Sequence, residues 1–499
     1  MLSSFISANP LKTSLLAGVL LGTAWLSWGL WPLALVCPGI LILCLLEQDK
    51  RTRFLVSVVF FTSAWAIAFH WNALHPNTIT ALSSIIALFS MICIQAGLMT
   101  FFSSPRRGFT PFITAISAFL GIAIWDWFSL NGPLAMPGTM LGLSISDSFL
   151  ARMWSPFIGS YGLTLLVLGL NGAWVAVLRS QRKRTLAALI LLALSFLPVL
   201  FPPQLSAISR MFPVALVQPG MSPSQWADVS SVTKASGLYE ALGRAKGMFV
   251  DTQLLILPET SLPIGSSTTQ EHVVRRWADS LGVSVLTGAI VLDSSGTFFN
   301  AAVSVDFGGL AYESHKRRLV PFVESVPLAN YLPFSSTFRL DSGGVSAYGA
   351  GKDPSIVQLS GLKVGVLICF ESFFPSDAAE LRSLGADMLV VLTQDGWWQS
   401  QTARNQHAAY TRLVAFSSGL PTIQSSVDGI SAIWDATGNR IAGSTGNGAQ
   451  IVFAHIPIQR AHTLFSKTGN FPSNLLLGGL LLLYLMFALR KSPYSQGGH

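Results

Sequence analysis

Two kinds of hydrophobic pattern divide this chain. Long apolar stretches run at about 12–30, 33–46, 54–74, 79–102, 110–130, 157–178 and 185–202, and another lies at about 473–489. Several approach the roughly 20 residues that a 30 Å hydrocarbon core demands of a helix. About eight transmembrane helices are therefore expected, the second being short and interrupted by Pro32 and Pro38. Between the seventh and eighth stretches the pattern changes to short branched runs separated by amphipathic ones. Phe212–Gln218, Leu254–Leu257, Val283–Gly288, Ala301–Asp306, Val364–Ile368, Met388–Thr393, Thr422–Ser425, Ile430–Asp435 and Ile451–Ile456 read as strands. Ser236–Gly247, Gln270–Leu281, a segment beginning near Asp377, and Gln406–Gly419 read as helices. Strands alternating with helices predict an α/β layered domain with a largely buried sheet. The expected division is a seven-helix membrane domain at 1–208, a water-soluble domain at 209–461, and a last helix with a short tail at 462–499.

Charge sharpens the division. The 499 residues are 51% hydrophobic and only 11% charged, too apolar for an ordinary soluble protein. Before residue 205 the acidic residues are Glu47, Asp49, Asp126 and Asp147; the rest of the 23 fall between Asp228 and Asp435. Basic residues cluster at Lys12, at Lys50, Arg51 and Arg53, at Arg106 and Arg107, at Arg179 to Arg184, and at Arg490 and Lys491. With eight spans these clusters share one side, and by the positive-inside rule both termini are cytoplasmic. The soluble segment then lies outside the cytoplasm. The formal net charge of +8 is membrane topology and not a nucleic-acid-binding face, because the soluble segment is slightly acidic. Trp25, Trp28, Trp31, Trp65, Trp71, Trp125 and Trp127 near span ends are expected as an interfacial belt. Asp126 is expected at the interface with them, and loop 131–157 as a short amphipathic surface element.

Three polar residues stand at strand ends or edges in the soluble segment. Glu259 closes the run LLILPET, Lys316 opens HKRRLVPFVESVPL with Glu324 further along, and Cys369 ends the strand VGVLI and is followed by Phe370 and Glu371. The other cysteines, Cys37, Cys44 and Cys93, fall in apolar stretches, so Cys369 has no disulfide partner in its domain. No CxxC or Cys/His metal spacing occurs, and no metal or cofactor is expected. A thiol must lose its proton to attack a carbonyl, a carboxylate can take it, and an ammonium favours the thiolate and the later oxyanion. Glu, Lys and Cys thus form a coherent acyl-transfer set. Each also has a plainer reading: Cys369 as buried filler, Glu259 as a helix cap, Lys316 as part of a solvated charge run.

An aliphatic strand ending in PE, then HK-x-x-LVPF-x-E, then a strand ending in C-F-E resembles the nitrilase superfamily. Together with seven preceding spans and one following, the chain resembles the bacterial apolipoprotein N-acyltransferase family over nearly its whole length. The detailed matches are VQPGMSPSQW (217–226), ILPET (256–260), HKRRLVPFVESVPL (315–328), ICFE (368–371) and DGWW (395–398). A further match runs from His407 through Arg412, Gly419 and Pro421 to Gly429. The resemblance implies an α-β-β-α sandwich and an enzyme of the bacterial inner membrane. Glu259 would be the base, Lys316 the oxyanion-stabilising cation and Cys369 the nucleophile. Phe370 would supply a backbone oxyanion donor, with Glu324 and Glu371 in support. Trp226 and Trp397 would be aromatics near the site, and the loop Val320–Phe334, with Phe322, Leu328, Tyr331 and Phe334, would admit acyl chains. The implied partners are a phospholipid acyl donor and a diacylated apolipoprotein acceptor, met by a monomer in membrane lipid through a thioester intermediate. The chain departs from the family pattern at Val414 and Ser417, where Arg and Glu are usual, and at Gln424, Val427 and Asp428, where Arg and Asn-Asn are usual. The rivals are a membrane-tethered amide hydrolase, which eight spans argue against, and a non-catalytic scaffold, which the intact polar set argues against.

Overall fold

The structure, a computed structural model, describes residues 9–26, 29–75, 78–106, 109–132, 135–178, 186, 192–221, 242, 246–321, 323–325, 348–445 and 448–489. The chain divides into two compact units, one of residues 1–73, 82–202 and 470–499, the other of 74–81 and 203–469.

The first unit is helical. Its helices are α1 (Pro10–Thr23), α2 (Cys37–Leu45), α3 (Lys50–Ala68), α4 (Thr78–Phe102), α5 (Pro111–Asn131) and α6 (Phe149–Leu178). Asp49 caps α3 through the Thr52 N–H at 2.9 Å, and α6 bends where Pro156 and Gly159 interrupt it. Of the described helices, α3 to α6 and the late helix Phe471–Leu489 are long and apolar enough to cross a membrane. The expected count of eight is therefore not reached among the described residues. α1 has 14 residues and α2 only nine behind the 3₁₀ turn Trp31–Leu35, too short for a 30 Å core at 1.5 Å per residue. Most of the seventh stretch, and the tail 490–499, lie outside the described residues.

Three interfacial expectations are corrected. Trp25, Trp65 and Trp125 are buried in the helical unit, at 4–6% exposure. Asp126 is 1% exposed and takes the Leu141 N–H and the Thr164 hydroxyl, both at 2.7 Å. The segment Leu141–Ile145, expected on the surface, is a buried 3₁₀ turn anchored by that carboxylate. A buried carboxylate needs such donors, and backbone N–H groups released by a 3₁₀ turn supply them.

The second unit is a sandwich of two sheets. Strands β1 (Arg210–Gln218), β2 (Leu254–Ile256), β3 (Leu262–Gly265), β4 (Ser284–Leu292), β5 (Phe298–Val305), β6 (Ala311–His315) and β13 (Gln450–Ile458) build one, in the order β13-β1-β2-β4-β5-β6 with β3 on β4. Strands β7 (Ile356–Leu359), β8 (Leu362–Ile368), β9 (Met388–Thr393), β10 (Thr422–Ser426), β11 (Ala432–Trp434) and β12 (Arg440–Gly443) build the other, in the order β12-β11-β10-β9-β8-β7. β1, β2 and β4 run parallel, as do β8, β9 and β10. Side chains alternate along each strand, and that decides the layers. Val214, Leu216, Ile256, Val364, Val366, Ile368, Val390 and Ile423 meet in the core between the sheets. Ala215, Leu255 and Val285 point the other way, onto α7 (Ser267–Leu281) with its Val274, Trp277 and Leu281. Leu367, Leu389 and Val391 face Leu381 of α8 (Pro375–Ser383) and Val414 of α9 (Gln401–Ser418). The result is the expected α-β-β-α sandwich. The expected helix Ser236–Gly247 falls mainly outside the described residues.

Candidate active site

Polar residues gather where strands of both sheets end. Glu259 stands three residues past β2, in the turn Glu259-Thr260, where Thr260 has φ 51°. Gly288 makes that turn possible: a Cβ there would lie 2.5 Å from the Glu259 Cα and 2.7 Å from the Pro258 carbonyl oxygen. Lys316 follows β6, its N–H donating to the Asn300 carbonyl oxygen at 2.8 Å. Cys369 follows β8 directly and has φ 49°. A left-handed backbone at a non-glycine residue costs about 1–3 kcal/mol and persists only where its surroundings hold it.

Lys316, Glu259 and Glu324 are 1%, 5% and 8% exposed. The Lys316 Nζ donates to Glu324 Oε1 at 2.8 Å and to Glu259 Oε1 at 3.4 Å. Asn300, on β5, is the fourth member: its Nδ2 donates to Glu259 Oε1 at 2.7 Å and to Glu324 Oε1 at 3.1 Å. Glu324 Oε2 accepts from the Val320 N–H at 2.8 Å, which fixes the segment after Lys316. Burial pushes Glu259 above the ordinary carboxylate range; Lys316 pulls it back and Glu324 adds to the rise. Burial alone would lower Lys316, but Glu324 and Glu259 more than reverse this and keep the ammonium charged. Burial, and after it Glu259, hold the Cys369 thiol well above its ordinary value, with Lys316 acting in the opposite sense. The resting group is a thiol beside a cation and a base. Such a nucleophile reacts when its proton leaves during attack.

Glu371 has a different place from the other acids. Its Oε2 accepts from Ile368 N–H at 2.7 Å, and its Oε1 from Arg317 N–H at 2.7 Å and Arg318 N–H at 3.3 Å. It ties the end of β8 to the segment carrying Lys316, and so braces Cys369 against Lys316. The basic run splits by direction. Arg318 forks onto Asp377 at 2.6 and 2.7 Å, Arg317 reaches Glu380 at 2.9 Å, and Lys316 alone turns inward. Phe370 is 7% exposed, its ring edge-on to Phe374. Trp397 is half-buried in the turn after β9, its ring parallel to that of His75 with centroids 6.2 Å apart. Trp226, Phe322, Tyr331 and Phe334 lie outside the described residues. Among the described residues no group of His, Cys, Asp and Glu is placed to hold a metal ion.

Two site residues escaped the sequence reading. Asn300 interrupts the apolar run of β5 at a buried position, a signal open to the eye but shared with many structural asparagines. Tyr348 sits close enough to the cluster that, after burial, Glu324 and Glu259 raise its phenol. Nothing in its sequence neighbourhood marks it.

Residues 213–464 match the family described as carbon-nitrogen hydrolase, and residues 17–173 match that described as apolipoprotein N-acyltransferase N-terminal domain. The chain is similar to the apolipoprotein N-acyltransferase of Chlorobaculum tepidum, with 24% identity over 539 residues and 98% of each chain covered. It is similar to that of Geobacter metallireducens, with 23% identity over 507 residues, 97% of this chain and 96% of the relative. Among solved structures, Nit3 of Saccharomyces cerevisiae, a member of branch 10 of the nitrilase superfamily, aligns at TM-score 0.41 with 18% identity, over 54% of this chain and 97% of Nit3.

Proposed function

We propose that this chain, which belongs to the carbon-nitrogen hydrolase family and carries the N-terminal domain of the apolipoprotein N-acyltransferases, moves an acyl chain from a phospholipid to an apolipoprotein. The observation that carries the reading is the buried Glu259–Lys316 pair beside Cys369, in a chain that also supplies membrane-length helices. In the first half-reaction Glu259 takes the thiol proton as the sulfur attacks the ester carbonyl carbon. Lys316 and the N–H of Phe370 stabilise the oxyanion; one such donor is typically worth about 3–4 kcal/mol of barrier. The ester C–O bond breaks, Glu259 returns the proton to the departing lysophospholipid oxygen, and a thioester remains. In the second half the free α-amine of a diacylglyceryl-cysteine attacks that thioester. The C–S bond breaks, and Glu259 passes an amine proton to the sulfur, regenerating the thiol and leaving an amide.

Both substrates are held by a bilayer, so the same reading places the protein in the bacterial inner membrane as a monomer, with its termini cytoplasmic and its catalytic domain outside. The test uses the purified chain with phospholipid alone. A hydroxylamine-labile adduct on Cys369 is expected by intact mass and should be absent in Cys369→Ala. Adding a diacylated lipopeptide should discharge the adduct into an amide-linked third chain. Wild type without an adduct would sink the reading, and discharge to free fatty acid alone would point to a hydrolase.

A further inference from the structure

A second chain of buried polar groups loops around Cys369, separate from the Glu259 and Lys316 cluster. The Ser372 hydroxyl donates to the Cys369 carbonyl oxygen at 2.8 Å. Its single hydrogen is thereby committed, so in the 2.8 Å contact with His407 Nε2 the hydroxyl oxygen accepts and Nε2 carries a proton. The other ring nitrogen, Nδ1, lies 2.6 Å from Asp395 Oδ1. Among the described residues Asp395 otherwise meets neutral groups: it accepts from Thr393 Oγ1 at 2.8 Å and Gln424 Nε2 at 3.3 Å, and Ser426 Oγ, shared with the Asp428 carbonyl oxygen, lies 3.3 Å away. Thr393 follows Leu392, the β9 partner of Ile368, and so stands alongside Cys369 at the ends of the two strands. The path therefore starts at the carbonyl of Cys369 and returns to the strand end beside it.

Counting protons on this path leaves one between His407 and Asp395. A neutral imidazole with its proton on Nε2 presents a bare Nδ1, and a bare nitrogen 2.6 Å from a carboxylate oxygen would be two acceptors pressed together. Whether drawn as imidazolium with carboxylate or as imidazole with carboxylic acid, the pair is neutral. We infer that Asp395 and His407 are a proton-retaining pair that keeps a net negative charge away from Cys369, making His407 a positioning residue for the nucleophile. The inference rests on Cys369 being the acyl carrier. Asp395 and His407 are 0% and 1% exposed, and the Phe373 ring stacks on His407 at 5.1 Å with Trp398 edge-on, which keeps water off the shared proton. The charged groups acting on Cys369 are Glu259, Lys316 and Asp395. Along α9, Arg404 is paired with Asp428 at 2.7 Å, which leaves Asp395 as the charged partner of His407.

Alkylation of Cys369 by iodoacetamide, followed across pH by peptide mass, reads the thiol without any acyl donor. His407→Gln keeps a donor for Ser372 but cannot hold the shared proton. Its alkylation midpoint should rise, and reaction at neutral pH should slow about tenfold for every pH unit by which it rises. Adding Asp395→Asn removes the uncompensated charge and should bring the midpoint back. Ser372→Ala removes the hydroxyl that joins the Cys369 carbonyl to His407 Nε2 but leaves the Asp395–His407 contact, and should leave the midpoint in place. An unmoved midpoint in folded His407→Gln, or a double variant that does not recover, overturns the inference. Nitrogen-15 NMR of histidine-labelled wild type tests it without substitution: a protonated His407 Nε2 together with a protonated or proton-sharing Nδ1 supports it, and one bare ring nitrogen overturns it. Failure of the acyl-transfer reading would show separately, as wild type that alkylates normally but takes no adduct from phospholipid.

Discussion

Replacing Asn300 by leucine removes a donor shared by two buried carboxylates while changing the side-chain volume little. Its Nδ2 serves Glu259 Oε1 at 2.7 Å and Glu324 Oε1 at 3.1 Å, and its Oδ1 is buried without a hydrogen-bond partner, so nothing else is lost with it. A hydrogen bond to a charged group contributes about 1.5–3 kcal/mol, and one pKa unit corresponds to about 1.36 kcal/mol. The bond stabilises the ionised form of Glu259, so its loss favours the protonated one. Burial already holds Glu259 above the ordinary range, and the substitution should lift its pKa further.

A protonated Glu259 cannot take the thiol proton. Single-turnover acylation of Asn300→Leu by phospholipid, followed by intact mass, should therefore have its acidic midpoint raised, with a loss of about 10- to 100-fold below the wild-type midpoint. It should recover as pH rises, to a plateau within a few-fold of wild type. Stability carries the same sign: the part of the variant's deficit that comes from Glu259 should be full above its raised folded-state value and vanish below the wild-type one, where Glu259 is protonated in both proteins. A loss of equal size at every pH, with the acidic midpoint unmoved, would refute the assignment of Asn300 as a tuner of the base.

Lys316→Met leaves Glu259 and Glu324 buried without their cation. Thermal unfolding should show a loss of about 3–5 kcal/mol, and acylation should fall at least about 100-fold. Glu371→Gln weakens the grip on the Ile368 and Arg317 N–H groups, costing about 1–3 kcal/mol; acylation should drop while its pH midpoint stays, because Glu371 is not the base. Gly18→Val in α1 places a Cβ 2.0 Å from Ser63 Oγ and 2.3 Å from the Phe60 carbonyl oxygen of α3. Backbone cannot yield as a flexible side chain can, so the detergent-solubilised protein should melt lower by about 1–3 kcal/mol.

Much of the sandwich is legible in the sequence because strand and helix periods differ and buried parallel strands are continuously branched. Val364–Ile368 and Met388–Thr393 are such runs, and both are strands. β3, β7 and β12 are not legible, being four residues each and too short to establish a period. β6 is not either, because AYESH is polar on both faces, yet it is the strand that delivers Lys316. In the helical unit, hydropathy reports that a side chain suits lipid, not that it faces lipid. Trp25, Trp65 and Trp125 satisfy either environment, so the interfacial expectation fails on them. Asp126 fails similarly, since its donors come from Leu141 and Thr164, 15 and 38 residues away in the chain.

One of the positions expected to depart from the family pattern, Gln424, touches Asp395. Gln424 is fully buried and donates to Asp395 Oδ2 at 3.3 Å and to the Ile430 carbonyl oxygen at 2.9 Å. An arginine at that position would bring a formal positive charge to the same carboxylate; glutamine brings none. Asp428 takes Arg404 at 2.7 Å, so that guanidinium is engaged elsewhere. Val414 and Ser417 are buried on α9, Ser417 bonding back to the Leu413 carbonyl oxygen at 2.8 Å. Gln424 thus leaves Asp395 without a cation from β10, and the task of balancing Asp395 falls to His407. Gln424→Arg combined with His407→Gln tests this directly. The added guanidinium should restore thiol reactivity that His407→Gln alone has lost, and no restoration in a folded double variant would mean that Asp395 is balanced by some other means.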